Sequence, residues 1–311
     1  VLICKRLEDL PALDTPLHLA LGVFDGVHIG HQAVIDRAVQ AAAREGGMAG
    51  LLTFDPHPIR VIAPDKAPSA LLETLDHKAR LVATLGVELL IPLHFDQELA
   101  NMDAAEFIQK LTSAPVRTIA VGEDWRFGKN RTGDLAFLKK KAAELGFKLE
   151  AVAPVMLDGE RVSSTRIRNA IRAGNLMHAE KMLGHPYLVC GSVVEGQKLG
   201  RTLGFPTANL GYGDAQLPPD GVWAVQARLQ NGTLLQGVAN LGNRPTLANA
   251  GRALEIHLMD FSGDLYGQFL EVHFIKHLRD EWKFPSIDAL RTQIQQDTNL
   301  AANVLNSLKF L

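Results

Sequence analysis

Leu17-His18-Leu19-Ala20-Leu21-Gly22-Val23-Phe24-Asp25-Gly26-Val27-His28-Ile29-Gly30-His31 decides how the first half of the chain folds. Leu17–Phe24 reads as a strand, and Gly30–Arg44 as a helix with Ala33, Val34, Ala38 and Ala41 on one face. A glycine-rich turn therefore stands where a strand becomes a helix. Helix N-termini offer unpaired backbone N–H groups and the positive end of a dipole, so phosphate belongs there. Gly26 and Gly30 let backbone approach such an anion closely, and His28 and His31 can converge on one phosphate chain. A zinc reading fails, because the helical pair that holds zinc is spaced by four with a Glu beside the first His. Taken alone, the motif competes evenly with a tight turn that carries two surface histidines.

The alternation continues. Ala49–Phe54, Glu88–Phe95, Arg117–Gly122 and Lys148–Pro154 read as strands, with helices over Leu75–Leu85, Ala104–Leu111 and Gly133–Leu145. This predicts an α/β domain, a Rossmann-like parallel sheet with helices on both faces. Such sheets bind ligands beyond the carboxyl ends of their strands, near the switch in strand order. Three more polar clusters fall on that edge. Thr53-Phe54-Asp55-Pro56-His57-Pro58 is expected to be a stiff loop, its prolines forbidding helix. Gly122-Glu123-Asp124-Trp125-Arg126-Phe127-Gly128 brackets two aromatics and an Arg with glycines, which a packed aromatic turn would also explain. Ser163-Ser164-Thr165-Arg166-Ile167-Arg168 starts a helix over Thr165–Ala173, with Ser164 expected as its N-cap and Gly174 as its stop; a short helix over Asn175–Leu183 follows. Four such clusters together favour a site over four unrelated turns.

Gly184-His185-Pro186 then changes the texture of the chain. Tyr187–Glu195, Val222–Leu229, Leu234–Leu241, Leu254–Met259 and Phe269–Ile275 read as short strands of an antiparallel barrel, a sandwich being the alternative, before a helix over Ser286–Leu308 with Ile287, Leu290 and Ile294 periodic. Two domains are expected, 1–185 and 186–311. Within the second, residues 196–210 carry glycines at irregular spacing and match neither the Rossmann nor the Walker pattern, yet a flexible loop with Lys198 and Arg201 can wrap phosphates. Thr207 and Asn209 are two apart, so on an extended chain both face one way, and their oxygens suit Mg²⁺; taken alone, a barrel loop whose Thr and Asn satisfy backbone groups is the stronger explanation. Glu255 and His257 share a strand face, which is either a solvated face of the barrel or a placed site, where a carboxylate near Mg-ATP can take a proton from an attacking hydroxyl.

Composition supports two packed domains: 311 residues, 47 % hydrophobic and 21 % charged, exclude disorder. By count, residues 1–185 hold 22 Lys/Arg and 23 Asp/Glu, leaving 10 and 11 beyond, so neither half is a charged tail. The net charge of −2 announces neither nucleic acid nor an acidic membrane surface. Two cysteines, Cys4 and Cys190, support neither a disulfide framework nor a four-ligand zinc site, and fit a reducing cytoplasm. No apolar run is long enough to span a bilayer. Val1–Glu8 has no basic leader followed by an apolar stretch, which reads against a secretory signal, and the missing Met reads as a trimmed start.

The G-x-F-D-G-x-H-x-G-H stretch, paired with S-S-T-x-I-R, resembles the nucleotidylyltransferase superfamily. With T-F-D-P-H-P and D-W-R-F-G it resembles the FMN adenylyltransferase module of bacterial bifunctional riboflavin kinase/FAD synthetases. The resemblance implies transfer of AMP from ATP to FMN, giving FAD and pyrophosphate. It gives His28 and His31 the ATP phosphates as charge builds on pyrophosphate, in a loop that includes Gly22, Phe24, Asp25 and Gly30. Ser164, Thr165 and Arg168 close from the other side, while Asp55, His57, Asp124, Trp125, Arg126 and Phe127 are assigned to flavin. Asp124 and Trp125 depart from the Asn and Phe found in some relatives. P-T-A-N and E-x-H, with Gly221-Val222-Trp223 and Asn240-x-Gly242-x-x-Pro245-Thr246 between them, resemble the riboflavin kinase module of the same enzymes, and Tyr266-Gly267 and Arg279-x-Glu281 also match. By that resemblance Thr207 and Asn209 hold Mg²⁺, and Glu255 is the base on the ribityl hydroxyl. The loop of Gly196, Lys198, Gly200, Arg201 and Gly204 covers ATP, and Arg279 touches flavin or orders a lid. The implied partners are riboflavin, FMN/FAD and ATP, with no obligate protein partner. The rivals are a related cytidylyl- or adenylyltransferase whose barrel only binds flavin, and a flavin- or RNA-binding regulator on a dead transferase fold.

Overall fold

The computed structural model describes residues 1–196, 199–243 and 252–307. They form two compact units, one of residues 1–69 with 74–164, the other of residues 70–73 with 165–311.

The first unit is built on strands β1 (Leu2–Ile3), β2 (Leu17–Leu21), β3 (Met48–Asp55), β4 (Leu89–His94), β5 (Val116–Gly122) and β6 (Lys148–Val152). All pair in parallel, in the order β1-β4-β3-β2-β5-β6. The chain grows outward from β2 through β3 and β4, then returns to the other side of β2 as β5. The switch point therefore lies between the carboxyl ends of β2 and β5, where the turns after Leu21 and Gly122 emerge. Helices α1 (Ile29–Glu45), α2 (Pro58–Ile62), α3 (Leu75–Thr84), α4 (Gln97–Asn101), α5 (Ala104–Leu111) and α6 (Leu135–Leu145) connect the strands. β7 (Met156–Leu157) and β8 (Glu160–Arg161) form a separate antiparallel pair.

Strand alternation covers both sheet faces. Leu19, Leu21, Leu52, Ile91, Ile119 and Val121 pack with Phe107, Ile108 and Leu111 of α5 and Leu138 of α6. The intervening Ala20, Leu51, Leu90 and Ala120 pack with Val34, Ile35 and Ala38 of α1 and Val82 of α3. On α1 the buried residues are Val34, Ile35, Ala38, Ala41 and Ala42, so the expected face is shifted off Ala33. One loop expectation is corrected: α2 begins at Pro58, a position where the missing N–H costs nothing.

In the second unit α7 (Ser164–Arg172, from Thr165 onward) and α8 (Leu176–Leu183) precede the barrel. Its strands are β9 (Leu188–Val194), β10 (Ala208–Gly211), β11 (Gly221–Leu229), β12 (Leu234–Asn243), β13 (Arg252–Leu258) and β14 (Phe269–Arg279), antiparallel throughout and closed in the order β10-β13-β12-β11-β14-β9. The Glu180 carboxylate of α8 accepts the Tyr187 N–H at 2.9 Å and meets His273 of β14 at 2.6 Å. The division by contacts thus falls ahead of Gly184–Pro186, with both helices on the barrel side. The glycine stretch holds one turn of helix, α9 (Leu199–Thr202), rather than an open loop throughout. α10 (Ile287–Ser307) covers the barrel with Ala301 and Leu305 against Val222, Ala224 and Val238. The periodic residues at its start are not the packed ones: Ile287 is exposed.

Candidate active sites

In the first unit the turn after β2 is tightly folded, with positive φ at Phe24, Gly26 and Val27. His28 ends the turn as the N-cap of α1, its Nδ1 accepting the His31 N–H at 3.2 Å. This capping bond brings the two imidazoles face to face, 3.5 Å between centroids and 16° from parallel. A Cβ on Gly30 would stand 3.1 Å from the His28 ring, so the small residue between the histidines makes room for the stack. Phe24 is buried and meets the His31 ring edge-on at 5.3 Å. Burial, aided by the positive charges of His28, Lys78 and Arg161, holds the His31 imidazole well below its usual pKa. Its Nδ1 is buried without a hydrogen-bond partner among the described residues. A neutral ring with an unsatisfied nitrogen at a helix start is suited to meet an incoming polar group.

Ser164 joins this turn. It is the first residue of α7 rather than the residue before it, and its hydroxyl donates to the Asp25 carbonyl at 2.8 Å. Two motifs separated by 139 positions thereby meet at one loop. Thr165 is exposed, while Arg168 is buried with its Nε donating to the Ala70 carbonyl at 2.9 Å. His57 caps α2 by accepting the Ile59 N–H at 3.3 Å, and Asp55 is exposed at the end of β3. In the turn after β5, Asp124 pairs with Arg161 at 2.6 Å, and Trp125 stacks on Phe127 at 4.4 Å. Phe127 belongs to the core beneath, against Phe107 and Phe137, whereas Arg126 is exposed and turns back to the Trp125 carbonyl. Phe127 is thus a packing residue, and Trp125 is the half-buried aromatic of this turn.

The second unit organises its polar residues by register. Asn209 of β10 is opposite Glu255 of β13, Glu255 is opposite Asn240 of β12, Asn240 is opposite Val222 of β11, and Val222 is opposite Arg279 of β14. Directly opposed residues on a sheet point to the same side. One row across five strands therefore carries Asn209, Glu255, Asn240 and Arg279 on the face away from buried Leu254 and Ile256. The glycine stretch lies on the start of this row. A Cβ on Gly196 would sit 2.5 Å from the Asn209 Cγ, and one on Gly200 would sit 3.2 Å from the Thr207 Oγ1. Gly204 adopts φ +88° and Arg201 is exposed, while Lys198, Pro245 and Thr246 lie outside the described residues.

His257 has a positioning job that the sequence did not reveal: its Nδ1 contacts the Pro206 carbonyl at 2.9 Å and its ring meets Phe205. It fixes the segment that delivers Thr207. Arg279 binds Asp297 of α10 through Nε and NH2, at 3.0 and 2.7 Å, and gives NH1 to the Asp280 carbonyl. Trp282 lies against its guanidinium at 4.7 Å. Its resolved role is to tie β14 to α10. Among the described residues no group of three or more His, Cys, Asp or Glu could hold a metal. Thr207 and Asn209 supply two neutral oxygens under a close glycine cover, a donor set that fits a hard cation completing its shell with water and phosphate.

A family model described as FAD synthetase matches residues 11–166, and one described as riboflavin kinase matches residues 183–305. The bifunctional riboflavin kinase/FMN adenylyltransferase of Pseudomonas fluorescens is 42 % identical over 284 residues, 90 % of each chain. The protein of that name from Escherichia coli K12 is 40 % identical over 281 residues (90 % of each), and that of Bacillus subtilis 36 % over 298 residues, 94 % of this chain and 93 % of its own. A crystal structure from Streptococcus pneumoniae, named a macrolide-efflux protein, shares the fold with a TM-score of 0.82 and 31 % identity, covering 97 % of this chain and 98 % of that one. Among the described residues no helix is long and apolar enough to cross a membrane.

Proposed function

The chain belongs to the family of bifunctional riboflavin kinase/FMN adenylyltransferases, and from that premise we propose how its own residues divide the work. Residues 186–311 phosphorylate riboflavin to FMN with ATP, and residues 1–185 transfer AMP from a second ATP to FMN, releasing pyrophosphate. The observation that carries the reading is the cross-strand row that sets Glu255 directly opposite Asn209.

In the kinase reaction a ribityl hydroxyl attacks the γ-phosphorus. Glu255 accepts the hydroxyl proton as the new O–P bond forms and the bond to the ADP oxygen breaks. Thr207 and Asn209 would hold Mg²⁺, which when bound offsets phosphate charge. Gly196, Lys198, Gly200, Arg201 and Gly204 cover the ATP, and Arg279, held by Asp297, borders the flavin.

In the adenylyl transfer a phosphate oxygen of FMN attacks the α-phosphorus of ATP, and pyrophosphate leaves with the bridging electron pair. His28, His31 and the turn from Gly22 through Phe24 and Asp25 to Gly30 stabilise the charge on that leaving group. Ser164 is supported here by its bond to Asp25. Thr165 and Arg168 enter by the family motif alone, as do Asp55, His57, Asp124, Trp125 and Arg126 for the flavin, while Phe127 supports that turn from the core. Cys4 and Cys190 stand outside any disulfide, which favours a cytoplasmic setting.

The test has two tubes, each with Mg²⁺ and ATP, one started with riboflavin and the other with FMN, and the flavins are separated. FMN and FAD are expected in the first tube and FAD in the second. A tube without its product refutes the corresponding half.

A further inference from the structure

The turn after β2 has a cation that neither motif includes. Lys78, on α3, is buried at 7 % exposure beside Val82 on the same helix face. Its ammonium donates to the Val23 carbonyl at 3.0 Å and reaches the Thr53 hydroxyl at 3.5 Å. That carbonyl already accepts the Thr53 hydroxyl at 2.8 Å. The lysine is therefore not required to satisfy it, and an aliphatic residue could fill the space without the cost of burying an ammonium. What Lys78 adds is a fixed positive charge at the turn between Gly22 and Phe24.

We infer that Lys78 is a positioning residue for adenylyl transfer, holding the phosphate turn through Val23 and placing its ammonium at that turn. This rests on the proposed role of the turn. The charged and titratable groups acting on His31 are His28 beside it on α1, Lys78 on α3 and Arg161 on β8. With burial favouring the neutral ring, His31 itself brings little charge to a polyphosphate before it binds. The Lys78 contacts to the Val23 carbonyl and the Thr53 hydroxyl hold the ammonium at the turn, so it needs no rearrangement when pyrophosphate leaves.

Lys78→Met is expected to slow FAD formation from FMN about 10²-fold, mainly in kcat, while riboflavin phosphorylation stays at the wild-type rate. A second readout separates charge from packing: in a histidine NMR titration, His31 should protonate at higher pH in K78M than in wild type. Wild-type FMN turnover, or an unchanged His31 titration, in folded K78M would overturn the inference. Should K78M fail to fold, the wild-type protein carries the test: saturation with inorganic pyrophosphate should move the Lys78 ammonium resonance, and a resonance that stays put overturns the inference too. Failure of the underlying reading shows separately, as no FAD from FMN in the wild type, with the titration still judging Lys78.

Discussion

Gly196→Ala tests the kinase site through one methyl group. The added Cβ would stand 2.5 Å from the Asn209 Cγ and 2.7 Å from its Oδ1, where ordinary contact begins at 3.4 Å. Asn209 is 6 % exposed and lies in a strand paired on both edges, so its side chain has little room to withdraw. Either the amide or the covering loop must move by roughly 1 Å, a misplacement that costs about 10²-fold when it falls on reacting groups. Riboflavin phosphorylation should drop by that factor, while FAD formation from FMN remains normal. The assay measures kcat/KM in both tubes, with a thermal melt to confirm folding. A double-mutant cycle sharpens it: in an Asn209→Ala background the collision partner is gone, so Gly196→Ala should cost little more. Riboflavin turnover within twofold of wild type in G196A, with the melt unchanged, would show that Asn209 is not a working part of the kinase.

Other substitutions divide the two reactions. Glu255→Gln keeps size and polarity but removes basicity, so riboflavin phosphorylation should fall about 10²–10⁴-fold with FMN adenylylation untouched; equal loss in both tubes would indicate misfolding. His31→Ala should slow FAD formation by roughly 10²–10³-fold and leave FMN to accumulate, and normal FAD synthesis would remove this histidine from the mechanism. The same imidazole binds protons more weakly folded than unfolded, so its contribution to stability is complete above about pH 6.5 and is lost as pH falls toward the folded value. Urea midpoints on either side of that pH should therefore differ less in His31→Gln than in wild type. Asp297→Ala strands the Arg279 guanidinium beside α10, and the barrel should lose roughly 3–5 kcal/mol by denaturant titration, whereas a change inside experimental error would mean that the pair is not what anchors the helix.

What could be read from the sequence is what local periodicity encodes. β2 and α1 announce themselves by alternation and by a 3.6-residue face, and the two-residue spacing of Thr207 and Asn209 already tells that they share a side. Partnership across strands is not local. Nothing in the order of residues states that Asn209, Glu255, Asn240 and Arg279 line up, because register depends on turn lengths and on how the barrel closes. β10 is only four residues long and hides between glycines and prolines. Pro58 misleads as a helix breaker because it occupies the one helical turn that tolerates it. Lys78 carries no motif signal in the sequence, and only the packing of α3 shows that its side chain is inside.

Burial of polar side chains marks the sites more sharply than composition does. The chain has no basic excess, yet both of its proposed reactions handle ATP. The buried polar and charged residues include Asp25, His28, Thr53, Lys78, Arg168 and Asn209, each of them in, or bonded to, one of the phosphate motifs. Lysine and arginine are almost never buried without a specific partner, and Lys78 and Arg168 are the two buried basic side chains among the described residues. On the proposed reading, phosphate charge in the first unit meets the Lys78 ammonium and backbone N–H groups in a low-dielectric turn, where a cation counts for more than a surface lysine does. Among the described residues of the barrel strands no Lys or Arg is buried. The barrel's row sets Asn209, Glu255 and Asn240 in line with Arg279, so one carboxylate and one guanidinium share it. On the proposed assignment, with Thr207 and Asn209 holding Mg²⁺, the barrel's row takes a divalent cation from solution for its phosphate chemistry, while the turn after β2 has the Lys78 ammonium of its own.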